Sequence, residues 1–290
     1  MTAWPDRPRV LLSYADRDVR EKPLPAGFDL IIDSGAYTAH TKGIEIDIDA
    51  YTAFLAERAG QFRFAVALDV IGDPETTVAN FQRQRIDLLG TGIELVPVWH
   101  IKSPLHILTR MCRWSSRIAV GGMVGLHAGE LIRLAFPAHQ EAAAHGVELH
   151  GLGVTSTRAL TLPWTSVDSA SWTIARRYPL LYLTRPCGTI RRLERGLRLD
   201  PADAALVRAY GLDPDHVTDK SATLGEPGKA VIHDMRVAMA RTYMEQERHG
   251  HRPKVFLSTW GYARELNLIA SAHSAGSPYC APQPQPKGTP

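Results

Sequence analysis

Cysteine is scarce in this chain, and its spacing forms no pattern. The 290 residues include three cysteines, Cys112, Cys187 and Cys280, and none belongs to a C-x-x-C pair. Their scatter argues against a disulfide-stapled secreted domain and against a tetrahedral Cys/His zinc site. We therefore predict free thiols in a reducing cytosol and no metal cofactor.

Long apolar segments and a strong charge bias are also lacking. No run approaches the ~18 apolar residues that span a membrane, and residues 1–7 have no apolar core of signal-peptide length. We expect a soluble, cytoplasmic protein with no membrane partner. With 33 Lys and Arg residues against 30 Asp and Glu residues, the formal net charge is +3, which alone does not indicate nucleic-acid binding.

Short apolar segments alternate with helical ones over the first 185 residues. The predicted strands are residues 10–13, 29–33, 64–70, 94–100, 117–122, 148–154, 165–168 and 179–184. The predicted helices between them are residues 48–59, 74–89, 104–114 and 128–145. This alternation is typical of an α/β fold, either a (β/α)8 TIM-type barrel or a doubly wound sheet. No G-x-G-x-x-G sequence follows a first strand, and polar residues follow many strands, so we favour the barrel.

The pattern changes after about residue 185. Arginines crowd residues 185–198, and residues 201–210 and 230–249 have helical patterns. We predict a barrel core at residues 1–185, an arginine-rich helical extension at residues 186–273 and a disordered proline-rich tail at residues 274–290. A final β/α unit of the barrel, beginning with a strand at residues 254–258, is left open within the extension.

Three aspartates come at the ends of predicted strands: Asp33, Asp69 and Asp168. Each one alone is also explained as the cap of a turn. In a barrel, however, all three carboxylates meet at the carboxyl rim, where barrel enzymes have their active sites. Facing carboxylates suit chemistry at a sugar C1′, because one acts as a nucleophile while another moves a proton.

Glycines and histidines follow other predicted strands. Gly121-Gly122 and Gly153 offer backbone N–H groups to a planar heterocycle or a phosphate, although tight turns need glycine too. His100 and His150 are either ligand-facing or buried wall residues. Rim histidines beside carboxylates also suit a metal, but no His-x-His follows the first strand, so a metal site is not favoured.

A run of arginines is the strongest cationic feature of the sequence. It contains Arg185, Arg191, Arg192 and Arg195. Such a cluster suits contacts with a phosphate backbone. The alternative is a solvated helix face, since Glu194 is interspersed.

Taken in order, these segments resemble the tRNA-guanine transglycosylase superfamily. The matching segments are Asp33-Ser34-Gly35-Ala36-Tyr37, Ala67-Leu68-Asp69, Gly121-Gly122, Gly151-Leu152-Gly153-Val154 and Ser166-Val167-Asp168-Ser169. The similarity is closer to the phage and bacterial branch that inserts 7-deazaguanine bases into DNA. In that branch a His-Gly-Phe/Leu-Gly run and a Ser-x-Asp-Ser-x-x-Trp segment recur, as in residues 150–153 and 166–172 here. The likeness covers about residues 9–185.

This resemblance implies a TIM-type barrel that exchanges one base for another. Asp168 would be the nucleophile on C1′ of a guanosine, and Asp33 the general acid/base for the leaving guanine and the incoming 7-deazaguanine. Asp69 would hydrogen-bond the heterocycle, and Gly121 and Gly122 would offer it backbone donors. The other candidate substrate-binding residues are Ser34, Gly35, Tyr37, His100, His150 and Gly153. The family usually has a glutamine where His100 stands.

One feature of the family is missing from the sequence. The tRNA enzymes carry a C-terminal zinc site of three cysteines and one histidine, which the scattered cysteines here do not form. We therefore predict DNA rather than tRNA as the substrate, with the arginine-rich segment as the DNA-binding element. Accessory DNA-modification proteins are candidate partners. The alternatives are a nucleoside or glycoside hydrolase on the same barrel, a tRNA-acting relative and a non-catalytic nucleic-acid-binding barrel.

Overall fold

The computed structural model of the chain describes residues 4–154, 158–176, 180–249, 252–259 and 262–279. Its strands are β1 (Arg9–Ser13), β2 (Asp29–Asp33), β3 (Phe64–Val66), β4 (Leu95–Val96), β5 (Val98–His100), β6 (Arg117–Gly121), β7 (Glu148–Gly151), β8 (Ser166–Ser169), β9 (Leu180–Thr184), β10 (Ile190–Glu194) and β11 (Lys254–Ser258). Its α-helices are α1 (Arg17–Glu21), α2 (Ala36–Lys42), α3 (Ile48–Glu57), α4 (Pro74–Asp87), α5 (Leu105–Cys112), α6 (Ala128–Ala144), α7 (Pro201–Ala209), α8 (Pro214–Thr218), α9 (Gly225–Gln246) and α10 (Tyr262–Ser274).

The main sheet wraps into a nearly closed barrel. Its strand order is β4-β3-β2-β1-β11-β8-β7-β6-β5, and the pairings are parallel. The end strands β4 and β5 are separated only by Pro97, whose missing N–H interrupts what is otherwise one strand. When β4 and β5 are counted as one interrupted strand, the barrel has eight strands. The predicted TIM-type α/β fold is confirmed.

Helix starts in the barrel follow from local sequence signals. The Asp73 side chain accepts a hydrogen bond from the backbone N–H of Thr76, and Pro74 occupies the first turn of α4. Asp47 caps α3 in the same manner, accepting from the N–H groups of Asp49 and Ala50. These caps satisfy amide donors that have no partner within the helix, so they fix where each helix begins.

The interior of the barrel is apolar at its centre. The cluster there comprises Leu11, Ile31, Phe64, Val66, Val96, Val98, Ala119 and Phe256. Because side chains alternate along a strand, the residue two places after a core residue faces the same interior. This alternation carries Asp33, His100 and Ser258 inward at the carboxyl ends of their strands.

The chain divides into two compact units, and the division differs from the predicted one. The barrel unit contains residues 7–171 and 250–266, and the second unit contains residues 1–6, 172–249 and 267–290. The arginine-rich segment is therefore an insertion between β8 and β11, not a C-terminal extension. The strand of the final β/α unit that the sequence left open is part of the barrel, because β11 pairs with both β1 and β8.

The insertion contains a β-hairpin. Residues 180–184, predicted as a barrel strand, form β9 and pair antiparallel with β10. The turn between them places Gly188 at a φ of 82°, a conformation that favours glycine. Residue 179, Cys280 and residues 280–290 of the predicted tail lie outside the described residues. In the described part of the chain, no helix combines the length and apolar character needed to cross a bilayer.

Candidate active site

Three aspartates gather at the carboxyl rim of the barrel, as the strand ends predict. Asp33 is the last residue of β2, Asp168 lies within β8, and Asp69 follows β3. Asp33 is close enough to the other two for their negative charges to act on it. The rim therefore carries a cluster of carboxylates contributed by three different strands.

Asp33 is a member of this cluster with a raised pKa. Burial is the largest cause that raises its pKa to about 7, followed by the like charges of Asp69 and then Asp168. The backbone N–H of Gly35 donates to Oδ2 over 2.8 Å and opposes the rise. An aspartate with this pKa exchanges protons readily near neutral pH.

Asp168 has a different environment. Its side chain is buried, and both carboxylate oxygens accept hydrogen bonds. The backbone N–H of Gly153 donates to Oδ1 over 2.9 Å, and the Ser258 hydroxyl donates to Oδ2 over 2.7 Å. These donors orient the carboxylate while leaving lone pairs on each oxygen. Ser258 was not among the predicted site residues, although its place at the end of a late apolar segment was a usable signal.

Asp69 is held by two side chains. The Ser34 hydroxyl donates to Oδ1 over 3.3 Å, and His100 Nε2 lies 2.8 Å from Oδ2. The His100 ring packs against Gly121 at the end of the neighbouring strand β6, because a Cβ on Gly121 would lie 3.0 Å from His100 Cδ2. The structure thus brings Ser34, Asp69, His100 and Gly121 together, and their role in substrate binding stays a prediction.

Tyr51 is a neighbour of the cluster that sequence reasoning missed. Its hydroxyl donates to the Val66 carbonyl over 2.7 Å inside the barrel unit. Burial, with the charges of Asp33 and Asp69, raises the pKa of Tyr51 well above its usual range. Its phenol therefore stays protonated beside the acidic cluster. A buried tyrosine on a helical face gives no sequence signal that separates it from ordinary core.

The aromatic residues near the strand ends divide between surface and core. Tyr37, in the first turn of α2, is 49% exposed, so its ring is available to a ligand. Trp99 and Trp164 are buried, and their indole N–H groups donate to the carbonyls of Pro104 and Ala159. These two tryptophans pack within the barrel unit, which is their more ordinary role.

The carboxylates at the two ends of the barrel differ in whether they form ion pairs with arginine or lysine. At the amino end, Arg63 pairs with Asp29 at 2.7 Å and Arg117 pairs with Glu94 at 2.9 Å. At the carboxyl end, no Arg or Lys of the described residues pairs with Asp33, Asp69 or Asp168. The amino-end acids are thus neutralised by arginine, whereas those at the carboxyl rim keep their mutual repulsion, a pattern expected of a functional site.

Gly35 shapes the turn that carries Asp33. Its φ is 82°, and an added Cβ would lie 2.4 Å from Ala15 Cβ and 2.8 Å from the Ala15 backbone nitrogen. No real side chain fits at that distance from backbone, so only glycine permits this turn beside β1.

We expect Gly35→Ala to lower the free energy of unfolding by about 2–4 kcal/mol, because it combines backbone strain with overpacking. Gly43→Ala is the matched control, since Gly43 also has a positive φ of 65° but has open space around its Cβ position. That variant should lose only about 1 kcal/mol. Urea unfolding of both variants measures the difference, and equal losses would contradict the packing argument.

The predicted arginine cluster is not a helix face. Arg191 lies in β10, where its Nη2 pairs with Asp203 Oδ2 at 2.6 Å and its Nε donates to Oδ1 over 3.0 Å. Arg185 pairs with the same carboxylate at 3.5 Å. Arg195 is buried and donates to the Thr223 hydroxyl. These three guanidinium groups therefore have partners within their own unit, which sequence reasoning did not foresee.

Two arginines of the segment differ from these three. Arg192 and Arg198 are exposed and have no ion pair or side-chain hydrogen bond among the described residues. Both line one surface depression of the hairpin region. They are the cationic groups of this segment that are available to an anionic partner.

Within the described ranges, no group of three or more His, Cys, Asp or Glu side chains has the arrangement of a metal site. Cys112 is buried and Cys187 is exposed, and both are free thiols.

Comparisons with known proteins add little to this description. No family model and no curated protein sequence matches the chain. Among solved structures, the chain is similar to a protein from Coccidioides immitis described as a fructose-1,6-biphosphate aldolase. The identity is 9%, the match covers 93% of this chain and 87% of that chain, and the TM-score is 0.30. A similarity of this size supports no inference about activity.

Proposed function

We propose that the chain is a transglycosylase that exchanges guanine for a 7-deazaguanine base in nucleic acid, with DNA preferred over tRNA. The observation that carries the proposal is the contrast between two carboxylates at one rim. Asp33 has a pKa raised to about 7, whereas Asp168 is oriented by donors on both of its oxygens. Two carboxylic acids in different environments suit the separate roles of proton carrier and nucleophile.

In the first half-reaction, a carboxylate oxygen of Asp168 attacks C1′ of the target guanosine. The C1′–N9 bond breaks, its electron pair leaves with the purine, and protonated Asp33 gives the purine its proton. The result is free guanine, a covalent glycosyl ester on Asp168 and an Asp33 carboxylate. The pKa of Asp33 lets it hold that proton at neutral pH.

The second half-reaction reverses these steps with a different base. Asp33 removes the N9 proton of the incoming 7-deazaguanine, N9 attacks C1′, and the electron pair of the ester bond returns to Asp168. Both acids end in their starting states, so neither an oxidant nor an energy source is needed. The target nucleotide must be unpaired or flipped out of a duplex to reach a rim of this kind.

The neighbouring wall suits a planar base. Asp69 keeps free lone pairs beyond those used by Ser34 and His100, and so can accept N–H groups from a heterocycle edge. Exposed Tyr37 offers a ring for stacking. The preference for DNA rests on the missing cysteine cluster of the tRNA enzymes.

The test separates exchange from hydrolysis. Purified protein is incubated with guanine-labelled DNA or tRNA and an unlabelled 7-deazaguanine base, and nucleosides are quantified by mass spectrometry. We expect label release matched by incorporation of the deazaguanine into DNA. Label release with abasic sites would favour the hydrolase, incorporation into tRNA alone would favour the tRNA-acting relative, and binding without release would favour a non-catalytic barrel.

The two exposed arginines, Arg192 and Arg198, predict how DNA binding responds to salt. The double variant Arg192→Gln/Arg198→Gln should bind single-stranded DNA more weakly, and the slope of log K against log salt should fall by about 1.4, at ~0.7 per lost phosphate contact. The matched control Arg191→Gln removes an arginine already paired with Asp203, so it should lower thermal stability and leave the slope unchanged. Fluorescence anisotropy at several salt concentrations measures both, and a larger slope change in the control would contradict this assignment.

A further inference from the structure

His150 is a buried histidine directly behind the candidate nucleophile. It lies in β7, and its side chain is fully buried. Nδ1 is 2.8 Å from the Ser166 hydroxyl, whereas Nε2 has no hydrogen-bond partner. That unpartnered nitrogen is 3.7 Å from Oδ1 of Asp168. A buried polar atom without a partner is costly, so its place beside a carboxylate calls for a physical explanation.

The imidazole ring is fixed by aromatic side chains. Phe64 and Phe256 contact it edge-on, with ring centroids 5.4 Å and 6.1 Å away. Both phenyl rings belong to the apolar cluster at the barrel centre. The imidazole is therefore held in one orientation, with Nδ1 toward Ser166 and Nε2 toward Asp168.

The position of the imidazole proton follows from its two neighbours. With hydrogen on Nδ1, the bare lone pair of Nε2 would face a carboxylate oxygen, and the two would repel each other. With hydrogen on Nε2, the Ser166 hydroxyl donates to Nδ1 and the Nε2–H is directed at Asp168. The second tautomer gives Nδ1 a hydrogen bond from Ser166 and replaces the repulsion at Nε2 with an electrostatic attraction to Asp168.

We propose that His150 is a positioning residue for Asp168, and that its Nε2–H closes on Oδ1 during the reaction. The proposal rests on the proposed function, because it takes Asp168 as the nucleophile. Catalytic hydrogen bonds that are long in a free enzyme tighten when substrate binds. The His150 donor holds the carboxylate against C1′ and stabilises it again when the ester bond breaks. Ser166 sets the tautomer that makes this possible.

Two variants of His150 test the donor at the kinetic level. His150→Gln keeps an N–H donor near the position of Nε2, whereas His150→Asn keeps one only near Nδ1. We expect Asn to lower the rate of covalent trapping at saturating DNA by about 10- to 100-fold with little change in KM, and Gln to recover most of that loss. Equal rates in the two variants, or losses that only follow their melting temperatures, would reduce His150 to a packing residue.

A spectroscopic measurement keeps this test apart from the test of the proposed function. The ¹⁵N NMR spectrum of the histidines reports which ring nitrogen carries the proton, and the His150→Gln variant assigns the signal. We expect protonated Nε2 whose shift moves in Asp168→Asn and stays constant in Asp87→Asn, a surface control. A proton on Nδ1, or a signal insensitive to Asp168, would overturn the proposal. Absence of exchange by the wild-type protein would instead overturn the proposed function.

Discussion

Asp168→Asn is expected to abolish base exchange, with a loss of at least about 10⁴-fold in the rate of guanine release. Asparagine lacks the anionic oxygen that forms the bond to C1′, so no covalent protein–DNA species should accumulate. The amide still accepts from the Gly153 N–H, and the Ser258 hydroxyl turns to accept from its NH₂ group. The fold should therefore survive, and denaturing gel electrophoresis after incubation with DNA measures trapping.

Asp87→Asn is the matched control for this substitution. Asp87 is a surface residue at the end of α4, and its only described ion pair is a 3.9 Å contact with Arg83. Trapping and exchange should match the wild type in this variant. Covalent trapping that persists in Asp168→Asn, with normal thermal unfolding, would place the nucleophile on another residue.

Asp33→Asn is expected to stabilise the fold at pH 8 while removing activity. The folded pKa of Asp33, about 7, lies above its unfolded value of 3.8, so the native state binds more protons than the unfolded state between these values. Stability contributed by this group is therefore fully present below pH 4 and lost as the pH rises through 7. Above pH 7 the penalty reaches about 4 kcal/mol, at 1.36 kcal/mol per pKa unit, and asparagine avoids it.

Urea unfolding at pH 4 and pH 8 measures this effect. The difference in unfolding free energy between Asp33→Asn and the wild type should be near zero at pH 4 and largest at pH 8. Guanine release, which uses the protonated acid, should decline above pH 7 in the wild type. A variant that is equally stable or less stable than the wild type at pH 8 would show that Asp33 is not a buried, repelled acid.

Much of the barrel was predictable, because its strands are short apolar runs with turn residues after them. The segment 29–33 is a strand with the predicted bounds. The predicted strand at residues 94–100 begins one residue later, at Leu95, and is interrupted at Pro97. The strand ends also located Asp33 and Asp168 correctly on one rim. The strand ends locate these residues because the strands are parallel, which puts the carboxyl ends of all barrel strands on the same side.

The unpredicted parts depend on contacts between distant residues. Ser258 donates to Asp168 across ninety positions of sequence. From the sequence alone, the arginines of the 185–198 segment form a cationic cluster. In the structure, Asp203 pairs with two of them, Arg191 and Arg185. Composition counts charges but not their partners, so it overstates the cations available to a phosphate. The insertion escaped prediction for a similar reason, because β9 has the apolar character of a barrel strand and only its pairing with β10 shows otherwise.

The place of β11 in the barrel has a consequence for the order of folding. This strand pairs with both β1 and β8, yet it is synthesised after the whole of residues 172–249. Until it emerges from the ribosome, the sheet formed by the other barrel strands has two unpaired edges, and such edges favour association with other chains. A product that ends before residue 254 should therefore aggregate, and expression yield should depend on chaperones that shield those edges until the ring closes.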